Sequence, residues 1–496
     1  MKKDSILKIY NQSLALLTDF YEMTMSFGYW KLNLNNKESV FHLFFRRSPF
    51  QGGFTIATGL ESVIDFVQNF HFDESDLAYL EKLLGPDKKP YFDKEFLDYL
   101  SKMKFTGQID AVPEGTVVFP YEPILRIQGP LIQCQILESA LLNLINFPTL
   151  IATKAARICL AAKGEPVLEF GLRRAQGIDG ALSASRAAYI GGCNSTSNIL
   201  AGKLFDIPVM GTHAHSWVMV FDDEMESFKA YATALPNNCV FLVDTYDTIE
   251  GVKKAIEVGH WLKKQGKGLL GIRLDSGDLA DLSIRSRELL DKAGFKDSFI
   301  VGSNELDETI ISELKRQGAQ INVWGVGTNL VTGKNQSALD VVYKLSAIRD
   351  PGKDWQYKLK LSEQMVKVSN PGILQVKRFY DEYSYLFDVM YDINDPLQEG
   401  SLAIDPFDAT KEKLITNELK SKDLLVPIFI KGKLVYKQPT LNEVRDYTSK
   451  ELNRFHVGIK RFLNPHTYYV GMEKTIYDKK IDLIKHIRQS SSKKKL

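Results

Sequence analysis

Residues 271–278 read Gly271-Ile-Arg-Leu-Asp-Ser-Gly-Asp278, and this stretch decides the fold. In it a short apolar run stops at polar and glycine residues, and the same pattern recurs through the middle of the chain. Helical stretches such as 249–264 and 308–316 lie between the runs. Spacings of about 23 to 41 residues fit strand-plus-helix units, which predicts parallel strands with crossover helices in a barrel or a doubly wound sheet. The apolar runs end at Phe170, Gly211, Asp244, Asp275, Gly302 and Gly325.

The regions on either side of this pattern differ from it. Residues 109–132 carry Pro and Gly between short β-branched runs, which predicts a sheet of short strands, and 136–162 predict a long buried helix. After about residue 350 the alternation loosens, and strand-like runs at 426–430 and 434–436 indicate a return to a smaller, sheet-containing region. We expect an N-terminal part at 1–135, a barrel at 136–350, a C-terminal return at 351–485 and a disordered tail at 486–496.

The composition is that of a soluble globular enzyme. The 496 residues are 44% hydrophobic and 25% charged, and a net charge of +2 is too small to favour nucleic acid or an anionic membrane as the main partner. No apolar stretch approaches the roughly 20 residues that span a bilayer, and the apolar run 14–17 is short for a signal peptide. None of the four cysteines has metal-ligand spacing, which favours a reducing compartment and predicts a cytoplasmic protein.

Arginine and histidine residues follow two of the predicted strands. Arg173 and Arg174 can bind a carboxylate or phosphate through the guanidinium fork, and Phe170 can stack on an aromatic ring. A solvated arginine pair is the plain alternative. His213 and His215 share one face of an extended segment. Each is a candidate metal ligand, nucleophile or acid/base group, and a structural histidine is the alternative for either.

Acidic residues and one arginine follow the next two strands. Asp244 and Asp275 each stand near another carboxylate, an arrangement suited to Mg²⁺ with a substrate phosphate or to sugar hydroxyls. Arg273 lies inside a strand-like run, where a charge is costly to bury, so we interpret it as a ligand-binding residue at the barrel mouth. Asp278 is better explained as a helix N-cap.

Two glycine-containing turns, 301–304 and 324–329, complete the pattern. Glycine lets a backbone approach phosphate closely, and barrels often bind phosphate at their last loops. Ordinary tight turns are the alternative. The phosphate-binding loop G-x-x-x-x-G-K-[ST] is absent from the sequence. The residues alone therefore predict a βα barrel that binds a phosphorylated, anionic small molecule and carries a reactive histidine.

Eight short motifs run in order from about residue 15 to 345. They are Leu17-Thr-Asp-Phe-Tyr-Glu-Met-Thr-Met25, Phe44-Phe-Arg-Arg-Ser-Pro-Phe50, 169–176, Ser183-Ala-Ser-Arg186, Thr196-Ser-Asn-Ile-Leu-Ala-Gly202, 211–216, Leu274-Asp-Ser-Gly-Asp278 and Gly325-Val-Gly-Thr328. Each is short, but together they resemble the nicotinate phosphoribosyltransferase family. The resemblance implies an irregular α/β barrel of the type II phosphoribosyltransferase kind, with a smaller α/β sandwich domain formed from both chain ends.

The resemblance also implies a reaction. Nicotinate and 5-phosphoribosyl-1-pyrophosphate would give nicotinate mononucleotide and pyrophosphate, with coupled ATP hydrolysis and a need for Mg²⁺, in NAD biosynthesis. It further implies a homodimer whose active sites take residues from both subunits.

Individual roles follow from the motifs, position by position. His215 matches the histidine that ATP phosphorylates, and Asp244 and Asp275 match residues at the ribose and metal end. The nicotinate-binding positions are Tyr21, Phe170, Arg173, Thr212 and Arg273, with Arg273 on the carboxylate, Phe170 on the ring and Tyr21 reaching across the dimer. The phosphoribosyl-binding positions are Gly302, Ser303, Gly325, Gly327 and Thr328.

One segment departs from the family pattern. The loop Gly192-Cys-Asn-Ser-Thr196 stands where a more glycine- and acid-containing loop is expected, so Asn194 and Ser195 put the local ligand contacts in question.

Other functions stay open at this point. A nicotinamide-using relative is the nearest alternative, although Asn198 stands where amide-selecting relatives carry an acid, which favours nicotinate. Quinolinate would need more cationic residues, and an isomerase or aldolase would need a strand-end lysine or carboxylate base. A non-catalytic binding barrel would leave the polar strand ends unexplained.

Overall fold

The computed structural model describes residues 13–362, 364 and 367–493, and side chains up to residue 490. Residues 1–12 and the last three residues of the expected tail lie outside these ranges. The helices are α1 (Phe20–Lys31), α2 (Leu60–Asn69), α3 (Glu74–Glu81), α4 (Lys94–Ser101), α5 (Leu131–Ile136), α6 (Glu138–Ala162), α7 (Gly177–Ile190), α8 (Ile199–Phe205), α9 (His215–Met219), α10 (Glu224–Ala234), α11 (Thr248–Lys263), α12 (Leu279–Lys292), α13 (Glu308–Arg316), α14 (Thr328–Val331), α15 (Leu441–Asn453) and α16 (Lys474–Lys493).

The strands of the described residues are mostly short. They are β1 (Glu38–Phe45), β2 (Thr55–Ile56), β3 (Gln108–Ala111), β4 (Val117–Val118), β5 (Leu125–Pro130), β6 (Val167–Glu169), β7 (Ser195–Thr196), β8 (Val240–Leu242), β9 (Gly271–Leu274), β10 (Phe299–Gly302), β11 (Val323–Val326), β12 (Val341–Arg349), β13 (Gln356–Tyr357), β14 (Leu374–Tyr380), β15 (Tyr385–Asp392), β16 (Leu402–Asp405), β17 (Asp408–Leu414), β18 (Lys420–Asp423), β19 (Val426–Ile430), β20 (Lys433–Leu434) and β21 (Val470–Glu473).

The chain divides into two compact units. The barrel unit is residues 151–337, and the two-ended unit comprises the described residues of 13–150 and 338–493. The sequence placed the barrel at 136–350 instead. The first boundary lies inside α6, and because that helix is continuous, no break in the sequence pattern marks it. The expected tail at 486–496 is helical as far as Lys493, where α16 ends.

The barrel unit contains a six-stranded parallel sheet in the order β7-β6-β11-β10-β9-β8. Register places the carboxyl ends of neighbouring strands side by side: Leu274 pairs with Gly302, and Glu169 pairs with Val326. Four of the helices between these strands, α8, α11, α12 and α13, begin with side-chain caps. Asp278 accepts hydrogen bonds from two backbone N–H groups of α12, which confirms its interpretation as an N-cap. The polar residues after each strand therefore share one edge of the sheet.

Closure of the barrel is irregular. Val209 forms a single parallel bridge with Thr196 of β7, and the Nε2 atom of His213 accepts a hydrogen bond of 3.2 Å from the Leu242 N–H of β8. The segment 207–213 thus connects the two edge strands. The strand expected to end at Gly211 is reduced to this bridge, because Pro208 lacks an N–H and cannot continue a ladder. The two-residue strand β7 was not predicted.

The two-ended unit is built from both ends of the chain. A seven-stranded antiparallel sheet has the order β13-β12-β1-β5-β3-β19-β20, so three strands from before the barrel lie between two pairs of strands from after it. The region that the sequence read as loosened supplies a second sheet, β17-β16-β21-β15-β14-β18. One apolar core contains residues of both sheets, such as Leu43 with Val376 and Met390. By chain length this is the larger unit, whereas the sequence predicted a smaller one.

One helical stretch of the described residues, Leu131–Ala162, is apolar and long enough to cross a bilayer by length and composition. The sequence expectation that no stretch approaches this length was therefore wrong. The sequence pattern predicted a long buried helix at 136–162 but indicated a shorter apolar run, because Glu138 and Lys154 interrupt it. Of its most apolar window, 67% is buried inside the protein, so packing in the core accounts for the composition.

Candidate active site

Arg273 lies at the centre of the polar edge of the barrel unit. It projects from β9, and its side chain is 15% exposed. Nε donates to Ser303 Oγ at 2.8 Å, Nη1 donates to Thr212 Oγ1 at 3.2 Å, and Nη2 donates to Asp275 Oδ1 at 2.8 Å. A guanidinium has five N–H donors, so two remain for a ligand. The loops after β9 and β10 and the closing segment that contains Thr212 therefore meet at one cation.

Two aspartates stand beside this arginine. Burial acts to raise the pKa of Asp275, but the hydrogen bond from Ser303 and the charge of Arg273 together lower it below its usual range. The backbone N–H of Asp275 and the hydroxyl of Ser276 donate to Asp244 Oδ2 at 2.9 and 2.6 Å. The second oxygen of Asp244, Oδ1, is buried and has no hydrogen-bond partner within the described part of the chain. The site thus holds carboxylate oxygens in a cationic and hydroxyl-rich setting.

His215 begins the short helix α9 and is partly exposed. Its Nδ1 atom lies 3.1 Å from the hydroxyl oxygen of Thr245, and its Nε2 atom lies 3.8 Å from Asp275 Oδ2. The nearby carboxylate favours the tautomer with the proton on Nε2, in which Nδ1 accepts from the Thr245 hydroxyl. The lone pair on Nδ1 is then the nucleophilic position of the ring.

His213 has a different environment. Its ring is buried against Tyr231, Phe228 and Phe241, and burial lowers its pKa to about 4. Because Nε2 accepts the Leu242 N–H, Nδ1 carries the proton and faces the Ala214 carbonyl oxygen at 3.3 Å. His213 is therefore a neutral structural residue of the barrel closure, and of the two histidines His215 is the one available for chemistry.

Phe170 covers two of the glycines expected near phosphate. The Arg273 guanidinium carbon lies 5.6 Å from the Phe170 ring centroid. A Cβ atom at Gly325 would lie 2.8 Å from this ring, and one at Gly327 would lie 3.1 Å from the Phe170 carbonyl oxygen. Glycine at both positions lets the loops after β6 and β11 pack together. The site can accordingly bind a ligand whose aromatic ring lies on Phe170 and whose carboxylate lies next to Arg273.

The remaining predicted positions differ in their surroundings. Gly302 packs against the side chain of Ile321, 2.7 Å from where a Cβ would stand, so internal packing explains that glycine. Thr328 follows Gly327 as the first residue of α14 and is half-buried. Arg173 lies in the turn after β6 and is exposed, without a contact to the Arg273 cluster among the described residues.

Tyr21 belongs to the two-ended unit. It lies in α1 and is 48% exposed. Burial, with the charges of Glu138 and Glu22 next, raises the pKa of its hydroxyl. Glu22 itself is fully buried, and burial followed by the charge of Glu138 raises its pKa to about 8.

Sequence reasoning missed three partners of these residues. Thr245 and Ser276 each follow a predicted aspartate directly, so their position could have identified them. Glu169 precedes Phe170 and is 1% exposed, with hydrogen bonds from Ser185 and Thr196. The argument used for Arg273, a charge inside a strand-like run, applies to it equally.

The loop 192–196, whose sequence departs from the family pattern, has a structural explanation. The Asn194 side chain accepts a hydrogen bond of 3.0 Å from the Val167 N–H, and Ser195 pairs with Leu168 in the ladder between β7 and β6. These residues thus attach the short edge strand to the sheet. Asn198 caps α8: its Oδ1 accepts from the Ala201 N–H, and its Nδ2 donates to Ser185.

Comparison with known proteins identifies the fold class and the family of this chain. The irregular parallel barrel, with its arginine, histidine and aspartates at one edge, defines an α/β enzyme of the type II phosphoribosyltransferase fold. Three models of nicotinate phosphoribosyltransferase match it: the N-terminal domain over residues 16–146, the family model over 166–358 and the C-terminal domain over 374–480.

Similar proteins agree with these models. The chain is 42% identical to the nicotinate phosphoribosyltransferase of Bacillus subtilis, covering 96% of both chains. The crystal structure of human nicotinic acid phosphoribosyltransferase is 31% identical, with a TM-score of 0.81 over 94% of this chain and 99% of that one. A nicotinate-nucleotide pyrophosphorylase from Pyrococcus furiosus, 22% identical with a TM-score of 0.67 over 90% and 97%, shares the fold. The chain belongs to the nicotinate phosphoribosyltransferase family.

Proposed function

We propose that this chain forms nicotinate mononucleotide and pyrophosphate from nicotinate and 5-phosphoribosyl-1-pyrophosphate, with coupled ATP hydrolysis, in NAD biosynthesis from nicotinate. The observation that carries the proposal is Arg273 beside the Phe170 ring, because nicotinate combines an aromatic ring with a carboxylate. The two free N–H donors of Arg273 would bind the carboxylate, and Thr212 stands beside them. Phe170 would stack on the ring, and the names of the relatives agree with this substrate.

The ribose and its phosphates would occupy the neighbouring loops. When pyrophosphate leaves, positive charge develops on the ribosyl carbon, and the carboxylates of Asp244 and Asp275 are suited to stabilise it. The pyridine nitrogen of nicotinate is the nucleophile and needs no base. The loops with Gly302, Ser303, Gly325, Gly327 and Thr328 would hold the 5-phosphate, with Gly327 and Thr328 the most open of these positions.

His215 would take the γ-phosphoryl group of ATP. The Nδ1 lone pair attacks phosphorus, the bond to the β,γ-bridging oxygen breaks, and ADP leaves with that electron pair. Asp275 opposite Nε2 would stabilise the charge that forms on the imidazole. A phosphoryl group beside the pyrophosphate site would then change substrate affinity through charge.

Mg²⁺ fits this site as a shared ligand of protein and substrate. The described residues contain no group of three His, Cys, Asp or Glu side chains that could hold a metal alone. Mg²⁺ characteristically binds one or two carboxylates together with substrate phosphates, and Asp244 offers a buried oxygen without a partner. Asp244 and Asp275 would hold the ion, which would neutralise charge on the pyrophosphate leaving group.

The wider setting follows the family. The proposal includes a cytoplasmic homodimer with shared active sites, in which Tyr21 of one subunit contacts nicotinate bound by the other. Small molecules are the expected partners, without nucleic acid or membrane. Membership of the family also removes the isomerase, aldolase and non-catalytic alternatives.

Nicotinamide is the alternative substrate that needs a test. A carboxamide would require an acceptor near the ring, but Asn198 is buried and uses both side-chain atoms in the α8 cap and the Ser185 contact. Quinolinate carries a second carboxylate, which would need a second cation. Among the described residues, the cluster of Arg273 with its three hydrogen-bond partners contains one cation, Arg273 itself.

The deciding experiment compares the three pyridines as substrates. Purified protein is incubated with 5-phosphoribosyl-1-pyrophosphate and Mg²⁺ plus nicotinate, nicotinamide or quinolinate, with and without ATP. We expect turnover of nicotinate, faster with ATP. Preferred turnover of nicotinamide would contradict the substrate assignment, release of carbon dioxide from quinolinate would do the same, and no effect of ATP would contradict the coupling.

A further inference from the structure

Glu169 is a buried carboxylate at the end of β6 that the proposed reaction does not use. It is 1% exposed, and both of its oxygens accept hydrogen bonds. Oε1 accepts from the Gly171 N–H, and Oε2 accepts from the hydroxyls of Ser185 at 2.8 Å and Thr196 at 2.6 Å. A hydrogen bond to an ionised acceptor is stronger than one to a neutral group, so each of these contacts restrains its partner.

The three partners belong to three different segments. Gly171 lies in the turn after β6, Ser185 in α7, and Thr196 at the end of β7. The Thr196 hydroxyl in turn accepts from the Asn198 N–H at 3.0 Å, which extends the network to the start of α8. One carboxylate therefore connects the adjacent segments on one side of the site.

The turn that accepts this restraint from Glu169 contains Phe170 and packs against α14, so it contacts site residues on two sides. Phe170, whose N–H donates to the Val326 carbonyl oxygen at 2.8 Å, lies with its ring over Gly325. On the other side, a Cβ atom at Gly171 would stand 2.2 Å from a methyl carbon of Val331 in α14, the helix that Thr328 begins. A displacement of Gly171 would therefore move the ring-stacking residue and press on the expected phosphate loop together.

We propose that Glu169 is a positioning residue for substrate binding, which keeps the turn 170–174 at a fixed distance from α14 through the Gly171 N–H. The inference rests on the proposed function for the identity of the substrates. Glu169 contacts no substrate itself. It acts through Phe170 on nicotinate and through Gly171 on the loop at Gly327 and Thr328.

Substituting Glu169 separates this role from a purely structural one. E169Q keeps an acceptor for the Gly171 N–H, whereas E169A removes it. For E169A we expect a KM for nicotinate at least tenfold higher and a smaller rise in the KM for 5-phosphoribosyl-1-pyrophosphate, with kcat per folded molecule within about threefold of wild type. E169Q should have a KM for nicotinate close to that of the wild type.

Glu308 supplies the matched control. It is also a buried glutamate of the barrel unit, and its ion-pair partners Lys154 and Arg157 lie in α6 and not in the turn 170–174. E308Q should lower the melting temperature and leave both KM values unchanged. If E169A does not fold, E169Q and E169D are compared instead. E169D keeps the charge but has a shorter side chain, so it should raise the KM for nicotinate more than E169Q does.

The outcomes are distinct from those that test the proposed function. If the wild type does not use nicotinate, the proposed function fails and this inference fails with it. If the wild type uses nicotinate but the Glu169 variants lose only kcat or melting temperature, with both KM values unchanged, the proposed function stands and the positioning role is overturned.

Discussion

The guanidinium of Arg273 and the carboxylate of Asp275 are joined by a hydrogen bond of 2.8 Å between Nη2 and Oδ1. The two residues are separated by Leu274, the last residue of β9, and the pair lies between the loops that carry Thr212 and Ser303. The aspartate accepts from one amino group of the fork and Thr212 accepts from the other, which leaves one N–H donor of each amino group free. The pairing thus orients the arginine and keeps Asp275 ionised, as its lowered pKa indicates.

Replacing Arg273 tests the carboxylate assignment. R273K keeps the positive charge but loses the planar fork that donates to Ser303, Thr212 and Asp275. We expect the KM for nicotinate to rise about 10- to 100-fold, equivalent to about 1.4 to 2.7 kcal/mol, with kcat less affected. R285K, a change on the exposed face of α12, is the control. An unchanged nicotinate KM in R273K would show that another group binds the carboxylate.

His215 is expected to matter only for the ATP-dependent part of the rate. H215Q removes the nucleophilic Nδ1 atom while leaving Arg273 and Phe170 in place. We expect turnover without ATP to be retained within about threefold and the stimulation by ATP to disappear. Steady-state rates with and without ATP measure this, together with mass spectrometry of the protein after incubation with ATP and Mg²⁺. A phosphorylated H215Q protein, or one that ATP still stimulates, would exclude His215 as the acceptor.

Asp244 is expected to set the Mg²⁺ requirement. D244N replaces one carboxylate oxygen by an amide, so we expect about a tenfold higher Mg²⁺ concentration for half-maximal activity. D278N is the control, because Asp278 caps α12; this change should cost at most about 1 kcal/mol in stability and leave the Mg²⁺ dependence unchanged. Identical Mg²⁺ titrations of D244N and the wild type would remove Asp244 from the metal site.

His213 is expected to make the fold acid-sensitive. Its pKa is about 4 in the folded protein and 6.5 as the ordinary value. Between these values the unfolded chain binds the proton and the folded chain does not, so stability falls as pH drops from 6.5 to 4. The loss is on the order of 3 kcal/mol. H213Q keeps an acceptor for the Leu242 N–H but cannot titrate.

Denaturant unfolding at several pH values measures this contribution. The stability difference between wild type and H213Q should shrink towards pH 4, since only the wild type loses the histidine term. H260Q changes an exposed histidine of α11 in the same unit and should run parallel to the wild type. If the stability of H213Q also changes with pH in parallel with that of the wild type, His213 is not a buried neutral residue.

The local pattern of the sequence predicted many individual helices and strands in both units. The helix at 308–316 and the strand at 426–430 agree with α13 and β19, and the long helix of 136–162 agrees closely with α6. These elements carry a clear period and clear end signals, such as the Asp307 cap of α13, so short-range chemistry determines them. The same reasoning identified Arg273 and the aspartates, because strand ends in parallel sheets converge.

Tertiary structure alone decided how distant segments meet. The pairing of β1 with β12, about 300 residues apart, places both chain ends in one sheet, and no local period encodes it. The same holds for the closure through Val209 and His213 and for the contact of His215 with Thr245. The sequence by itself determined which residues stand at the ends of the parallel strands and which family they resemble. Only the tertiary structure decided which histidine is buried, and it connected Glu169 to three segments, because burial and long-range hydrogen bonds depend on the whole packed chain.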